Sequence, residues 1–230
     1  MSVLWQKTSG EAQALSYQAY ALAKLSLEMQ LKTLKSGGKK PAIVTDIDET
    51  LLDNSPAFAK DMFGTRNSEV VWQEWIASGK ADAKAGALKF LMYAQSKGVE
   101  VFYITNRSTD EKALTLKALQ MLRVPNADSL HLFMKTDTWN KEPRRMEVAK
   151  KYNILLLIGD NLNDFSEAFF FKSPLERRLA VDSLRREFGS CFIVLPNPMD
   201  GNWESALYGY EKGLSETVKA QKRYEALKSY

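Results

Sequence analysis

Asp46 and Asp48 stand two residues apart in the segment Thr45-Asp46-Ile47-Asp48-Glu49-Thr50, where the apolar run Ala42-Ile43-Val44 gives out. An extended backbone repeats every two residues, so both carboxylates turn to one side. Close carboxylates repel unless a proton or cation lies between them. Magnesium, a hard cation served by oxygen ligands and few carboxylates, meets that need. Gly159-Asp160-Asn161-Leu162-Asn163-Asp164 places another carboxylate after the apolar run 154–158, with Asp164 about one helical turn further on. Thr105 closes a third apolar run, 99–104, and Lys141 opens a helical pattern. A hydroxyl and an ammonium are what a tetrahedral phosphate dianion requires around it. Taken singly, each has an ordinary structural explanation: Asp-x-Asp makes turns, a threonine after a strand caps a helix, and a lysine is solvated. The weight lies in four complementary groups falling at four separate element ends. Together they would offer a phosphate dianion and a hard cation complementary partners at one end of the sheet.

The elements that must position these residues read as alternating strands and helices. Short β-rich runs occur at 41–45, 99–104, 130–134, 154–158 and 191–195, and helical patterns at about 85–97, 108–122, 143–151 and 175–188. Such alternation predicts a parallel sheet covered on both faces, with ligands beyond the carboxyl ends of its strands. Thr8 with Glu11 reads as a capping box opening a long amphipathic N-terminal helix, whose packing face carries Leu15, Ala19, Leu22, Leu25 and Met29. Gly37-Gly38 ends it. A second capping box, Ser108 with Glu111, follows a corner at Thr105-Asn106-Arg107. Residues 54–81 are too many for an ordinary strand-to-helix loop and carry Trp72 and Trp75. They predict a small cap inserted into one domain spanning 1–230. Either tryptophan can serve as cap core, Trp75 the more so.

Composition excludes several alternatives. With 45% hydrophobic residues, 230 residues can bury one core and an excursion. A net charge of +4, from 32 basic and 28 acidic residues, is too small a surplus to predict a nucleic-acid polymer as partner. No apolar run approaches the ~18 to 20 residues that span a bilayer, and 1–10 lacks the basic-then-apolar order of an export signal. Cys191 is the only cysteine, which excludes an internal disulfide and a cysteine-rich zinc site. Asn197 occupies the place where a cysteine-dependent phosphatase needs an arginine, so Cys191 reads as a buried strand residue. His131 is the only histidine, so a histidine pair on a metal is excluded as well.

Asp46-x-Asp48-Glu49-Thr50, Thr105-Asn106-Arg107, Lys141 and Gly159-Asp160-x-x-x-Asp164 resemble the four ordered motifs of the haloacid dehalogenase (HAD) superfamily. The longer stretches 46–56 and 159–165, with Leu195-Pro196-Asn197, are similar to class C acid phosphatases, including their lipoprotein 5'-nucleotidase branch. The likeness runs from the N-terminal helix to about Tyr210. It implies an α/β, HAD-like three-layer fold with a parallel-sheet core, a small helical cap and a long N-terminal helix. It implies a magnesium-dependent acid phosphatase that hydrolyses phosphomonoesters, 5'-nucleotides among them, through an aspartyl-phosphate intermediate. By that resemblance Asp46 is nucleophile and metal ligand, and Asp48 is general acid-base and metal ligand through its carbonyl. Asp160 completes the protein ligands to magnesium. Thr105 and the Asn106 N–H hold phosphoryl oxygens, Lys141 neutralises charge, Asp164 orients Lys141 or a metal-bound water, and Trp72 faces the substrate. A phosphotransferase would share every motif, and storage or scaffold relatives keep the fold but lack the nucleophile that is present here. The resemblance further implies a bacterial cell-envelope protein, outer-membrane lipoprotein or secreted, that forms a homodimer; its export signal and lipid-attachment cysteine do not occur in this chain. One departure stands out. Nucleotide-hydrolysing relatives carry a tyrosine opposite Trp72 where this chain has Asp200, which predicts weak selectivity for a base unless Asp200 only shapes the Asp200-Gly201 turn.

Overall fold

The run of small and branched residues after Gly38 forms β1 (Lys40–Thr45), the central strand of a five-stranded parallel sheet. The computed structural model describes residues 1–64 and 67–228. Flanking β1 are β4 (Glu100–Ser108) and β6 (Tyr152–Gly159), with β5 (Leu132–Lys135) and β7 (Phe192–Val194) at the edges, in the order β5-β4-β1-β6-β7. Strand alternation divides the interior between two faces. Ile43, Val101, Tyr103 and Leu156 pack on one side with Ala19, Tyr20, Ala23 and Leu27. Ala42, Val44, Phe102 and Ile104 pack on the other with Val148. All four of β1's last residues are buried, as a central strand covered on both faces requires.

Helices α5 (Ala87–Ser96), α6 (Lys112–Met121), α7 (Glu142–Lys151) and α8 (Pro174–Ser183) connect the strands. The expected corner at Thr105-Asn106-Arg107 does not exist: β4 continues through these residues to Ser108, and its register against β5 shifts between Ile104 and Ser108. Glu111 nevertheless accepts a bond from the Ser108 N–H at 2.6 Å, so the expected cap is present, on a 3₁₀ turn that precedes α6. The expected helix at 175–188 stops at Ser183.

At the N-terminus a short α1 (Ser2–Thr8) precedes α2 (Gly10–Thr33). The cap of α2 is Ser9, whose Oγ accepts from the Ala12 N–H at 3.0 Å, while Thr8 Oγ1 donates to the Leu4 carbonyl within α1. The reading of Thr8 as cap is thereby corrected. So is the packing face. Leu15, Leu22, Leu25 and Met29 are exposed, and Ala12, Ser16, Ala19, Tyr20, Ala23, Ser26 and Leu27 are buried. Small side chains let the helix approach the sheet and α5 closely, and a leucine stripe would hold it off.

Between β1 and α5 lie α3 (Ser55–Phe63) and α4 (Ser68–Ser78), bracketed by an antiparallel pair, β2 (Leu52–Asp53) and β3 (Asp82–Ala83). α1 packs against α3. The chain ends in α9 (Asn202–Leu207) and α10 (Glu216–Leu227). Among the described residues no helix is long and apolar enough to cross a membrane.

Candidate active site

Asp46 follows the last residue of β1, and its N–H bonds to the Ile158 carbonyl of β6 at 2.9 Å, which fixes it to the sheet. Lys141, at the N-terminus of α7, places Nζ 2.5 Å from Asp46 Oδ1 and 2.5 Å from Asp164 Oδ1. These three side chains are only 6 to 8% exposed. Asp164 also accepts the Asn161 N–H through Oδ2 at 2.9 Å, closing the turn that follows β6. Gly159 is required there, since a Cβ would overlap the Asp164 carboxyl. Arg145 donates to the Asn163 and Asp164 carbonyls, and Arg177 to Asn163 Oδ1 and the Phe169 carbonyl, so two buried guanidiniums brace the same turn.

Asp160, one residue beyond β6, has both oxygens held: Oδ1 by Thr50 Oγ1 at 3.0 Å and Oδ2 by Asn197 Nδ2 at 2.9 Å. Tyr20, from α2, donates to the Thr50 carbonyl at 2.8 Å. Asn197 Nδ2 also donates to Asp200 Oδ1 at 2.8 Å, so Asp200 is tied to Asp160 through one amide. Carboxylate oxygens of Asp46, Asp160 and Asp164 lie within 4.8 Å of one another. An all-oxygen donor set in a buried pocket fits a hard divalent cation.

The acidic residues register their crowding. Burial pushes Asp46 up to about 7, against the opposing pull of Lys141. Burial, with Asp164 and Asp46, holds Asp160 well above the ordinary range, and burial with Asp48 does the same to Glu49. Burial alone would lower Lys141, but Asp164 and Asp46 outweigh it and hold the ammonium charged.

Asp48 has different company. Arg107 donates through Nη2 to Oδ1 at 2.6 Å and through Nε to Oδ2 at 3.0 Å, and Asn54 Nδ2 donates to Oδ1 at 2.9 Å. Thr105 Oγ1 lies 3.4 Å from Oδ2 and accepts the Arg107 N–H. Asn106 Oδ1 accepts from Arg144 Nη2 at 2.8 Å, while Arg144 Nη1 bonds to the Thr105 carbonyl. The two tryptophans of α4 end in this network. Trp72 Nε1 donates to Glu111 Oε1 at 2.8 Å with its ring 5.3 Å from the Arg107 guanidinium, and Trp75 Nε1 donates to Asn54 Oδ1 at 2.7 Å. Trp75 is therefore not cap core, a place taken by Val71 and Ile76. Both tryptophans are partly buried.

Asp46, Asp160, Asp164 and Lys141 thus come together, as do Asp48 and Thr105. Sequence reasoning passed over Arg107, Asn54, Thr50 and Asn197. Each lies inside or beside a quoted motif, but none has a residue type that announces its partner. Cys191 lies just before β7, partly exposed, with Sγ against Glu187 Oε2, rather than buried in the strand.

A parallel sheet of order β5-β4-β1-β6-β7, with an Asp-x-Asp at the end of its central strand and a lysine and further acids at neighbouring element ends, is the arrangement of a HAD-superfamily phosphatase. A family model described as HAD superfamily, subfamily IIIB (Acid phosphatase) matches residues 1–203, and the chain belongs to that family of phosphomonoesterases. The Class C acid phosphatase from Bacillus anthracis is 41% identical, with a TM-score of 0.95 over 100% of this chain and 96% of that one. Its structure with tungstate bound gives a TM-score of 0.93 at the same identity and coverage. The Class B acid phosphatase of Edwardsiella ictaluri (strain 93-146) is 29% identical over 66% of this chain and 66% of its own length. The chain spans between half and two thirds of the length of the curated relatives it matches.

Proposed function

We propose that this protein is a magnesium-dependent acid phosphatase that hydrolyses phosphomonoesters through an aspartyl phosphate on Asp46. The observation that carries the reading is the Asp46 carboxylate at the end of β1, hydrogen-bonded to Lys141 and clustered with Asp160 and Asp164. Family membership and the tungstate complex of the Bacillus anthracis relative support it, tungstate being a tetrahedral oxyanion. Asp46 attacks phosphorus while the ester P–O bond breaks, and its electron pair leaves on an oxygen that takes a proton from Asp48. Water then attacks phosphorus, gives a proton to Asp48, and inorganic phosphate departs from Asp46. Lys141 stays paired with Asp46 and neutralises charge shared with the phosphoryl group, and Asp164 holds Lys141 in place. Thr105 and the Asn106 N–H bind phosphoryl oxygens. Asp46, Asp160 and the Asp48 carbonyl would hold magnesium, which would supply positive charge to the phosphoryl group.

Residues 54–81 act as the cap of a single-domain enzyme that accepts small phosphomonoesters. Asp200 in place of an aromatic wall makes it permissive, with weak preference for AMP over an aryl phosphate. We also propose a homodimer, checked by mass in solution, and an envelope location, checked by fractionating the source cells. The central test is chelation. Excess EDTA silences the enzyme on 4-nitrophenyl phosphate and magnesium restores it; activity surviving exhaustive chelation, or none from the magnesium-loaded protein on any phosphomonoester, sinks the reading.

A further inference from the structure

Arg107 is 5% exposed, and its guanidinium is engaged on every side. Nε and Nη2 hold Asp48, Nη1 donates to the buried Thr115 Oγ1 at 3.2 Å, and the Trp72 ring lies against its face. Trp72 is in turn fixed by Glu111, which also receives Gln73 Nε2 at 3.1 Å and the Ser108 N–H. A second line runs from the same cap helix: Trp75 bonds to Asn54, and Asn54 bonds to Asp48. The Trp72 ring, held by Glu111, and the Trp75 N–H of α4 therefore each meet a residue that grips the Asp48 carboxylate.

The grip is uneven. Oδ1 of Asp48 receives two short bonds, from Arg107 Nη2 at 2.6 Å and Asn54 at 2.9 Å. Oδ2 receives Arg107 Nε at 3.0 Å and Thr105 only at 3.4 Å. The Asp48 side chain is 24% exposed against 8% for Asp46, so it reaches solvent. An oxygen with two close donors has little capacity left for another partner, whereas Oδ2 has.

We propose that Arg107, set by the cap through Trp72, is a positioning residue that turns Oδ2 of Asp48 toward the leaving oxygen, so that cap helix α4 aligns the proton transfer. Asp48 as general acid rests on the phosphatase reading above; Arg107 acts through Asp48, donating to its carboxylate and to no substrate atom. The step is a proton passing from Asp48 Oδ2 to the ester oxygen as its bond to phosphorus breaks. Misalignment therefore penalises leaving groups that need the proton and spares those that do not.

The test compares an alkyl phosphate with 4-nitrophenyl phosphate, whose phenolate leaves unaided, in wild type, Arg107→Met, Arg107→Lys and Trp72→Phe. The magnesium-loaded protein is used throughout, with tungstate affinity measured alongside. Arg107→Met is expected to lose ~100-fold or more in kcat on the alkyl ester and less than ~10-fold on the aryl ester, with tungstate affinity kept. Arg107→Lys recovers part of the difference through its charge, and Trp72→Phe, which retains a ring but drops the Glu111 bond, shows the same difference at smaller size. Equal losses on both esters in the variants that fold, or no loss, overturns the inference and leaves the phosphatase reading intact. A wild type inactive on both esters overturns that reading, and this inference with it.

Discussion

The two aspartates of Asp46-Ile47-Asp48 have near-identical chemistry and opposite surroundings. Asp46 is held by the sheet and by Lys141, which α7 brings from the core, and Asp164 completes the group from the turn after β6. Nothing in that set belongs to residues 54–81. Asp48 is held by Arg107 and Asn54, and each of these answers to a tryptophan of α4. One carboxylate is thus fixed by the permanent core and the other by groups that an inserted segment touches. A nucleophile gains from a position that does not change. If Asp48 is the acid, as proposed, it must meet varied leaving oxygens and gains from a position set by the inserted segment.

The sharpest way to break this contrast is Asp46→Asn. The amide keeps shape but loses the proposed nucleophile and a charge that Lys141 and the proposed metal require, so turnover is expected to fall by at least ~10³-fold with the far-UV spectrum unchanged. Turnover near wild type would mean that another residue attacks phosphorus. Asp48→Asn is expected to cost ~10² to 10⁴-fold on alkyl esters and less on aryl esters. Magnesium should still raise its melting temperature as in wild type, because the proposed ligand at this position is the carbonyl. Loss of the magnesium effect would place the Asp48 carboxylate in the metal shell.

The buried half also predicts how stability varies with pH in the metal-free protein. Asp46 titrates near 7 when folded against its ordinary 3.8, so between those values the folded protein keeps a proton that the unfolded chain has lost. Its contribution to stability therefore falls as pH rises through that window, by at most roughly 4 kcal/mol, and Asp160 and Glu49, raised for the same reason, act in the same sense. The metal-free protein should melt several degrees higher at pH 5.5 than at pH 8, at about 2–4 °C per kcal/mol. Saturating magnesium should raise the melting temperature more at pH 8, because it binds ionised carboxylates. Equal magnesium shifts at both pH values, in calorimetric scans, would show that these carboxyls do not titrate in the window.

Which half could be read from the sequence follows from the same contrast. β1 and β6 announce themselves as unbroken apolar runs, Lys141 opens a helix, and the span of 54–81 is too long for a loop, so the sheet, the insertion and the buried acidic cluster were legible. Asp48's partners were not. Arg107 belongs to a quoted motif, yet an arginine at a strand end has many uses, and only folding brings it from β4 across to Asp48. Asn54 stands in the quoted 46–56 stretch with no partner named, and Trp75 reads as cap core, because spacing cannot show that an indole N–H has a distant acceptor. The N-terminal helix misled for another reason. Its leucines are as periodic as its alanines, and the close approach to α5 that favours Ala19 and Ala23 belongs to packing rather than pattern.

The smallest expected effect tests the cap's second line to Asp48. Trp75→Phe keeps an aromatic ring on α4 but removes the N–H that Asn54 Oδ1 accepts at 2.7 Å. Asn54 is fully buried, and its Nδ2 serves both Asp48 Oδ1 and Glu49 Oε2 while its own N–H bonds to Glu49 Oε1. Three of its four contacts in this network therefore survive the substitution. The lost bond should cost about 1 kcal/mol, some of it as stability, so the alkyl-ester rate falls by no more than ~5-fold, with little change on 4-nitrophenyl phosphate. Trp72→Phe should exceed Trp75→Phe on the alkyl ester, because Arg107 gives Asp48 three bonds and Asn54 gives it one. Parallel kcat measurements on both esters decide the order. If Trp75→Phe proves the more damaging and does so equally on both esters, the tryptophan holds the cap rather than the acid, and the division between a core-set nucleophile and a cap-set acid does not hold.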